Sequence, residues 1–208
     1  MPTVKPPPFE VLSAEFVAAA RRPVELPPPT KLEIAFVGKS NVGKSSLLNK
    51  LLNRRGLART SSTPGCTRQI NFFDVKSKAG LELMLVDLPG YGYASRSKGE
   101  RDEWATLIEH YVLERSTLRA AAVLFDSRRG VEQGETDVIE LITEHGKVSR
   151  KPPEVVLVAT KVDKLPARER PKLDGQRLGA RRIVPFSVDE PESTHAVWRA
   201  LLKAAELV

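Results

Sequence analysis

A run of eight residues, GKSNVGKS at positions 38–45, has the residue types and spacing of a phosphate-binding loop. It fits the pattern G-x-x-x-x-G-K-[ST], in which backbone N–H groups surround the β-phosphate of a nucleotide. Lys44 would pair with the β- and γ-phosphates, and the Ser45 hydroxyl would ligate Mg²⁺. A glycine-rich structural turn is the alternative. We predict a nucleoside triphosphate site whose binding residues here are Gly38, Ser40, Asn41, Val42, Gly43, Lys44, Ser45 and Ser46.

The tetrapeptide DLPG at positions 87–90 indicates a second part of the same site. It follows an apolar run of strand length, so Asp87 would stand at a strand end, where a carboxylate can hold Mg²⁺ through water. The Gly90 N–H would bond the γ-phosphate. The alternative is an Asp-initiated Pro-Gly turn with no ligand. The spacing from the phosphate-binding loop favours the functional interpretation.

A third tetrapeptide, TKVD at positions 160–163, predicts which base is bound. The Asp163 carboxylate can accept hydrogen bonds from the N1–H and the N2 amino group of guanine, whereas adenine offers neither donor. The stem of Lys161 would cover the base plane, and Thr160 would bond across to the phosphate-binding loop. Because this motif follows the two phosphate motifs in order, we predict a guanine nucleotide.

A polar stretch, TPGCT at positions 63–67, separates the first predicted helix from the next strand. Two threonines compete here, Thr63 and Thr67. Either could close on Mg²⁺ when the γ-phosphate is present, which is the switch behaviour of GTPases. An ordinary turn hydroxyl is the alternative for each of them.

Strand-like and helix-like segments alternate from Leu32 onward, which favours an α/β fold: a mostly parallel sheet with helices on both faces. We predict a short helix within residues 11–20, because apolar residues recur there at helical spacing. Residues 1–30 would form an N-terminal arm that ends in a proline-rich linker, and residues 31–208 a nucleotide-binding domain. Six strands are predicted at 32–37, 70–75, 81–87, 120–126, 154–160 and 182–186, and further helices at 44–53, 103–115, 135–149, 167–178 and 193–207.

Longer strings around these motifs resemble the EngB family of bacterial ribosome-biogenesis GTPases, also called YihA or YsxC. The matching strings are GKSNVGKSSLLN at 38–49, LARTSSTPGCT at 57–67, INFF at 70–73, DLPGYGYA at 87–94, DSR at 126–128 and TKVDKL at 160–165. The resemblance runs from about Glu15 to Leu202. It implies a P-loop NTPase small-GTPase fold, hydrolysis of GTP to GDP, and a switch role in assembling the large ribosomal subunit, with a link to cell division and septation.

The resemblance also implies roles for particular residues. It places the switch threonine at Thr67, and it implies that backbone N–H groups at Ser187 and Val188 contact guanine O6. Three positions depart from the usual pattern. Val188 stands where a second Ser or an Ala usually follows the first Ser, although a backbone donor survives that change. Thr160 stands where GTPases in general have Asn, and Cys66 stands where the family usually has a basic residue.

Tyr91 follows the DLPG motif directly, at a position where many GTPases carry a Gln that orients the attacking water. A phenol cannot easily do this, so we predict packing for Tyr91 and slow intrinsic turnover for the protein. Similar GTPases with Asn at the position of Asn41 hold K⁺ beside the phosphates, and the resemblance implies the same here. Simple bracing of the loop is the alternative. The predicted catalytic set is Lys44, Asn41, Thr67 and Gly90.

The charge balance indicates a polyanionic partner. The 208 residues include 33 basic and 26 acidic side chains, a net charge of +7, and residues 164–182 carry seven basic residues and two acidic ones. No apolar run reaches the ~18 residues of a membrane span, and the first residues do not form a secretory signal. A single cysteine excludes an intrachain disulfide. We expect a cytoplasmic monomer that contacts phosphates of ribosomal RNA and no membrane.

Two other functions stay open at this point. A nucleotide-gated factor that binds rRNA or the ribosome, with negligible intrinsic turnover, would show no stimulation of turnover by ribosomal particles. A P-loop kinase or ATPase would prefer ATP. The Asp163 carboxylate argues against the second, because it would repel the N1 lone pair of adenine.

Overall fold

The computed structural model describes residues 9–58, 69–91, 98–144, 151–166, 168–170, 177–178 and 181–208. Over these ranges the chain forms an eight-stranded sheet and four α-helices. The strands are β1 (Val11–Ala20), β2 (Glu33–Gly38), β3 (Ile70–Ser77), β4 (Glu82–Asp87), β5 (Leu118–Asp126), β6 (Glu154–Thr160), β7 (Arg177–Leu178) and β8 (Arg181–Pro185). The helices are α1 (Lys44–Leu51), α2 (Lys98–Glu114), α3 (Gln133–Glu144) and α4 (Pro191–Ala204).

The sheet has the strand order β1-β3-β4-β2-β5-β6-β8-β7. Strands β4, β2, β5, β6 and β8 run parallel to one another, whereas β3, β1 and β7 pair antiparallel with their neighbours. All six residues of β2 are buried, as expected for a central strand with both faces covered. The carboxyl ends of β2, β4, β5 and β6 therefore meet at one edge of the sheet.

The core lies on both faces of the sheet, because successive strand residues point to opposite sides. Ile34 and Phe36 of β2 join a cluster with apolar residues of α1 and α4, whereas Ala35 and Val37 join a second cluster with residues of α2 and α3. The predicted α/β sheet with helices on both faces is thereby confirmed. In the described part of the chain, no helix has the length and apolarity to cross a membrane.

A buried ion pair fastens α2 to the sheet and to the proline-rich linker. The Glu33 carboxylate on β2 accepts hydrogen bonds from Arg115 Nε and from Tyr111 Oη, each at 2.8 Å. Arg115 Nη1 also donates to the carbonyl oxygen of Pro27 at 2.5 Å. The linker is thus held against the end of α2, on the amino-terminal side of β2.

The short helix predicted within residues 11–20 is wrong, because this segment is the edge strand β1. It pairs antiparallel with β3 from Val11 opposite Ser77 to Ala20 opposite Ile70. Register shifts at Val11/Ser13 and Phe16/Ala18 break the alternation of side chains, so the sequence does not show the period of two that identifies a strand. The predicted boundary at residue 30 stays a prediction.

The weak helix predicted at 167–178 does not reach its predicted end. Arg177 and Leu178 form the short strand β7, which pairs with Arg182 and Arg181 of β8. This strand and β1 explain why the sheet has eight strands where six were predicted. The last residues of the helix predicted at 135–149 lie outside the described residues, which show α3 as far as Glu144.

Candidate nucleotide-binding site

The predicted motifs converge at the carboxyl edge of the parallel strands. Gly38 ends β2, Asp87 ends β4, Asp126 ends β5 and Thr160 ends β6. Parallel strands carry their carboxyl ends to the same edge of a sheet, where ligands bind in open α/β folds. The fold therefore brings together motifs that lie more than 100 positions apart in the sequence.

The loop between β2 and α1 has the conformation of a phosphate cradle and is braced from β6. Asn41 and Gly43 adopt left-handed φ values of 62° and 108°, and α1 begins at Lys44. Thr160 Oγ1 donates to the Val42 carbonyl oxygen at 2.6 Å, and Lys161 Nζ donates to the Asn41 carbonyl oxygen at 2.6 Å. The threonine hydroxyl thus spans the gap to the loop although Thr replaces the usual Asn.

Lys44 and Asp87 form a buried ion pair at the centre of this edge. Lys44 Nζ donates to Asp87 Oδ1, and the two side chains are 8% and 4% exposed. Each charge is therefore compensated by the other. Ser45 follows Lys44 in the sequence, as the second residue of α1, and its side chain is half-buried. Its hydroxyl and the Asp87 carboxylate are oxygen donors of the kind that Mg²⁺ prefers.

Asp163 lies next to the loop that follows β8. Ser187 Oγ donates to Asp163 Oδ1 at 3.1 Å, and Lys164 Nζ lies 3.2 Å from Oδ2. Burial would raise the pKa of the Asp163 carboxyl, but the hydrogen bonds from Lys164 and Ser187 outweigh burial and hold that pKa below its ordinary value. The group is therefore a carboxylate at neutral pH, as guanine recognition requires.

The loop predicted to reach guanine O6 is only partly available for this contact. The Ser187 N–H donates to Ser193 Oγ at 3.2 Å, inside the chain. Val188 is 37% exposed at the turn that follows. Of the two predicted amides, the Val188 N–H is therefore the better candidate for O6.

Tyr91 is packed between helices, as expected of its packing role. Its hydroxyl donates to Glu135 Oε1 at 2.9 Å, and its ring lies edge-on to Trp104 with the centroids 6.4 Å apart. Burial, followed by the charge of Glu135, raises the pKa of the Tyr91 phenol. A hydroxyl held in this way is directed to α3, so it does not take the place of a water-orienting Gln.

A cavity of about 320 Å³ lies beside the phosphate-binding loop. Lys39, Asn41, Asp126 and Lys161 are among its lining residues. The Asp126 carboxylate accepts hydrogen bonds from Arg128 Nη2 at 2.6 Å and from Lys161 Nζ at 3.1 Å. Asp126 was not predicted as a site residue, although its place at the end of an apolar strand matches that of Asp87.

Neither Lys39 nor Glu135 was predicted from the sequence to be a site residue. Lys39 pairs with Glu132, and its Nζ lies 3.7 Å from Glu135 Oε2. An acidic residue in the first turn of a helix is usually attributed to the helix dipole, so Glu135 gave no separate signal. Thr63 and Thr67 lie outside the described residues, and their predicted roles stay predictions.

Comparisons with known proteins agree with this site. Residues 33–161 match a family described as "50S ribosome-binding GTPase". The probable GTP-binding protein EngB of Anaeromyxobacter sp. (strain Fw109-5) is 41% identical over 208 residues, which cover 95% of this chain and 94% of that protein. The chain belongs to the EngB family of GTP-binding proteins. This EngB-family chain is accordingly a GTPase that binds guanine nucleotides.

Further comparisons support the family and the fold. The probable EngB of Desulforapulum autotrophicum is 41% identical over 196 residues, 92% of this chain and 96% of that protein. A crystal structure of a probable EngB has a TM-score of 0.58 at 18% identity, covering 84% of this chain and 98% of its own. Era of Aquifex aeolicus, bound to GDP and AlF₄⁻, has a TM-score of 0.65 at 22% identity, covering 84% of this chain and 57% of its own. At such identities the two structures show the P-loop GTPase fold alone.

Proposed function

We propose that this EngB-family GTPase is a nucleotide-controlled switch in the assembly of the large ribosomal subunit, in the cytoplasm. The observation that carries the proposal is the meeting of three motifs at one sheet edge, where Thr160 and Lys161 bind carbonyls of the phosphate-binding loop. This meeting supports a role for Asp163 in selecting guanine, at a fixed position relative to Lys44, which would pair with the phosphates. The predicted link to cell division stays a prediction.

We assign the triphosphate and Mg²⁺ to the edge around Lys44 and Asp87. Lys44 would pair with the β- and γ-phosphates, the Gly90 N–H would bond the γ-phosphate, and Ser45, Thr67 and, through water, Asp87 would hold the metal. Bound Mg²⁺ supplies positive charge that offsets the charge developing on the phosphates. Water then attacks the γ-phosphorus, and the bond to the oxygen bridging the β- and γ-phosphates breaks, giving GDP and phosphate.

The buried pair of Lys44 and Asp87 implies that nucleotide and Mg²⁺ bind together. Removing one partner of a buried ion pair costs about 3–5 kcal/mol, because the other charge remains uncompensated. A phosphate that draws Lys44 away must therefore be accompanied by a cation for Asp87. We expect chelation of Mg²⁺ to weaken GTP binding strongly in the wild type and much less in Asp87→Asn. Equal Mg²⁺ dependence in both proteins would contradict this coupling.

K⁺ is proposed as a further cofactor at Asn41. The Asn41 side chain is exposed at the cavity beside the loop, and its backbone is fixed by the hydrogen bond from Lys161. Its amide oxygen is a suitable donor for a cation beside the phosphates, although the ammonium groups of Lys39 and Lys161 line the same cavity. We expect K⁺ to raise the GTPase rate severalfold over Na⁺ at equal ionic strength, and Asn41→Ala to abolish the difference. Equal rates of the wild type in the two salts would contradict the assignment.

Ribosomal RNA of the large subunit is the proposed partner, with contacts to the phosphate backbone. Exposed basic residues flank the guanine end of the site, among them Arg129, Lys164, Arg168 and Arg170. Arg168 is 85% exposed, and its Nε lies 3.8 Å from Glu169 Oε1. Contacts of this kind would make binding strongly dependent on salt.

Co-sedimentation with purified large and small ribosomal subunits tests the proposal. It would be run with GDP and with a non-hydrolysable GTP analogue, at two salt concentrations. We expect retention on the large subunit only with the analogue, and weaker retention at the higher salt concentration. Retention that does not depend on the nucleotide, or no retention, would refute the switch role.

A second candidate is a nucleotide-gated binding factor with negligible intrinsic turnover. The hydrogen bond that directs the Tyr91 hydroxyl to Glu135 favours it, because this phenol does not orient water. Single-turnover GTP hydrolysis with and without large subunits separates the two candidates. Stimulation by the particles supports the hydrolytic switch, whereas an unchanged slow rate supports the binding factor.

A further inference from the structure

We propose that Glu135, a residue of α3 outside the nucleotide motifs, is a positioning residue for the γ-phosphate. It fixes Tyr91 and thereby holds the neighbouring Gly90 against the phosphate-binding loop. The inference rests on the proposed role of Gly90 and adds a residue that sets the preference for GTP over GDP.

The Glu135 carboxylate is 2% exposed and is bound by groups from three segments. Tyr91 Oη donates to Oε1 at 2.9 Å, and the Glu132 N–H donates to Oε2 at 2.9 Å. Lys39 Nζ, from the phosphate-binding loop, lies 3.7 Å from Oε2. A carboxylate this deeply buried is stable only when it is paired and hydrogen-bonded. The position of Glu135 therefore depends on all three contacts together.

The Tyr91 ring contacts two helices, α3 and α2. A Cβ at Gly134 would lie 2.9 Å from Tyr91 Cε2, so the ring contacts α3 where only glycine leaves room. Trp104 of α2 also lies edge-on to the ring, and its Nε1 donates to the carbonyl oxygen of Pro89 at 3.0 Å. The segment from Pro89 to Tyr91 is therefore in contact with both α2 and α3.

Tyr91 and Gly90 are neighbours in the chain and both contact the phosphate-binding loop, so the position of one affects that of the other. The Ser40 N–H donates to the Tyr91 carbonyl oxygen at 3.4 Å. A Cβ at Gly90 would lie 3.0 Å from Ser40 Oγ and 3.2 Å from the Gly38 carbonyl oxygen, so Gly90 rests directly on the loop. If Tyr91 is released, Gly90 is no longer preorganised, and the γ-phosphate must order it on binding. GDP lacks that phosphate and would be unaffected.

The test compares dissociation constants for GDP and for a non-hydrolysable GTP analogue, both with Mg²⁺, in Glu135→Ala, Tyr91→Phe and the double variant. We expect each single variant to raise Kd for the analogue about three- to tenfold, the range for one lost hydrogen bond, with Kd for GDP unchanged. The double variant should be no worse than either single one, because both remove the same link. Glu135→Gln retains an acceptor and should recover most of the affinity.

Glu140→Gln is the matched control, since Glu140 is an exposed carboxylate of the same helix. It should leave both constants unchanged. A general loss of stability would affect both nucleotides alike, so the ratio of the two constants separates positioning from folding. An unchanged ratio in both Tyr91→Phe and Glu135→Ala would overturn the inference while the wild type still binds both nucleotides. A wild type that binds neither would overturn the proposed function and this inference together.

Discussion

The most direct test of guanine selection is the substitution Asp163→Asn. In the structure, Ser187 Oγ occupies one lone pair of Oδ1, and Lys164 Nζ lies 3.2 Å from Oδ2. A carboxylate offers about four lone-pair sites, more than Ser187 and Lys164 use. Its two oxygens match the two donors of guanine, the N1–H and the N2 amino group. The lowered pKa of Asp163 keeps both oxygens available as acceptors at neutral pH.

The expected magnitude follows from this inventory. The asparagine at position 163 keeps one acceptor but turns an NH₂ group toward a guanine donor. The loss of one charge-assisted hydrogen bond costs about 1.5–3 kcal/mol, and the guanine donor left unpaired costs about 1–3 kcal/mol. The sum, roughly 2.5–6 kcal/mol, corresponds to a loss of about 10²- to 10⁴-fold in guanine affinity. Xanthine carries an oxygen in place of the N2 amino group, so the variant amide can donate to it and affinity for xanthine should rise.

Competition binding of GDP and XDP against a fluorescent nucleotide measures both effects. Asp189→Asn is the matched control, because Asp189 is an exposed carboxylate in the loop that contains Ser187. It should bind GDP as the wild type does. If Asp163→Asn bound GDP with wild-type affinity and showed no gain for XDP, the assignment of the base to Asp163 would be wrong.

Three more substitutions follow from the same structure. Arg115→Ala leaves the buried Glu33 carboxylate without its ion partner, and urea unfolding should show a loss of about 3–5 kcal/mol, whereas a loss below about 1 kcal/mol would contradict the pairing. Hydrogen bonds from Arg128 lower the pKa of Asp126, so the ionised carboxylate stabilises the folded wild type relative to Asp126→Asn. This difference in the free energy of unfolding should have its full value above about pH 4 and shrink at lower pH. A difference that stays constant on acidification would be contrary evidence. Thr160→Val removes the hydroxyl that binds the phosphate-binding loop, and calorimetry should show roughly tenfold weaker GDP binding, with unchanged affinity as the opposing result.

Much of the site could be predicted because its chemistry is local in the sequence. The phosphate-binding loop, the Asp87 turn and the Asp163 motif each occupy a few consecutive residues after an apolar strand. The strand at 154–160 was predicted with the bounds that the structure gives. Burial on both faces produces continuous apolar runs in such central strands, and these runs are easy to recognise.

The edge strand could not be predicted by the same means. Residues 11–20 carry apolar side chains at helical spacing, and the decisive interaction is pairing with β3, 50 or more positions away. The outer strand of a sheet is fixed by a neighbour's unpaired N–H and C=O groups rather than by its own pattern. Two register shifts then removed the remaining sign of alternation. Local periodicity was therefore the wrong guide for this segment.

The contacts that join the motifs were equally hidden, and they explain why the site works as a unit. Thr160 binds the loop carbonyl of Val42, 118 positions earlier, and Lys161 binds that of Asn41, 120 positions earlier. Glu135 binds Tyr91 across 44 positions. The residue types in the motifs are set by the ligand, because any protein that binds it needs similar chemical groups. The residues that join the motifs are set by the distances between those motifs in one particular fold. Only the three-dimensional structure therefore identifies them.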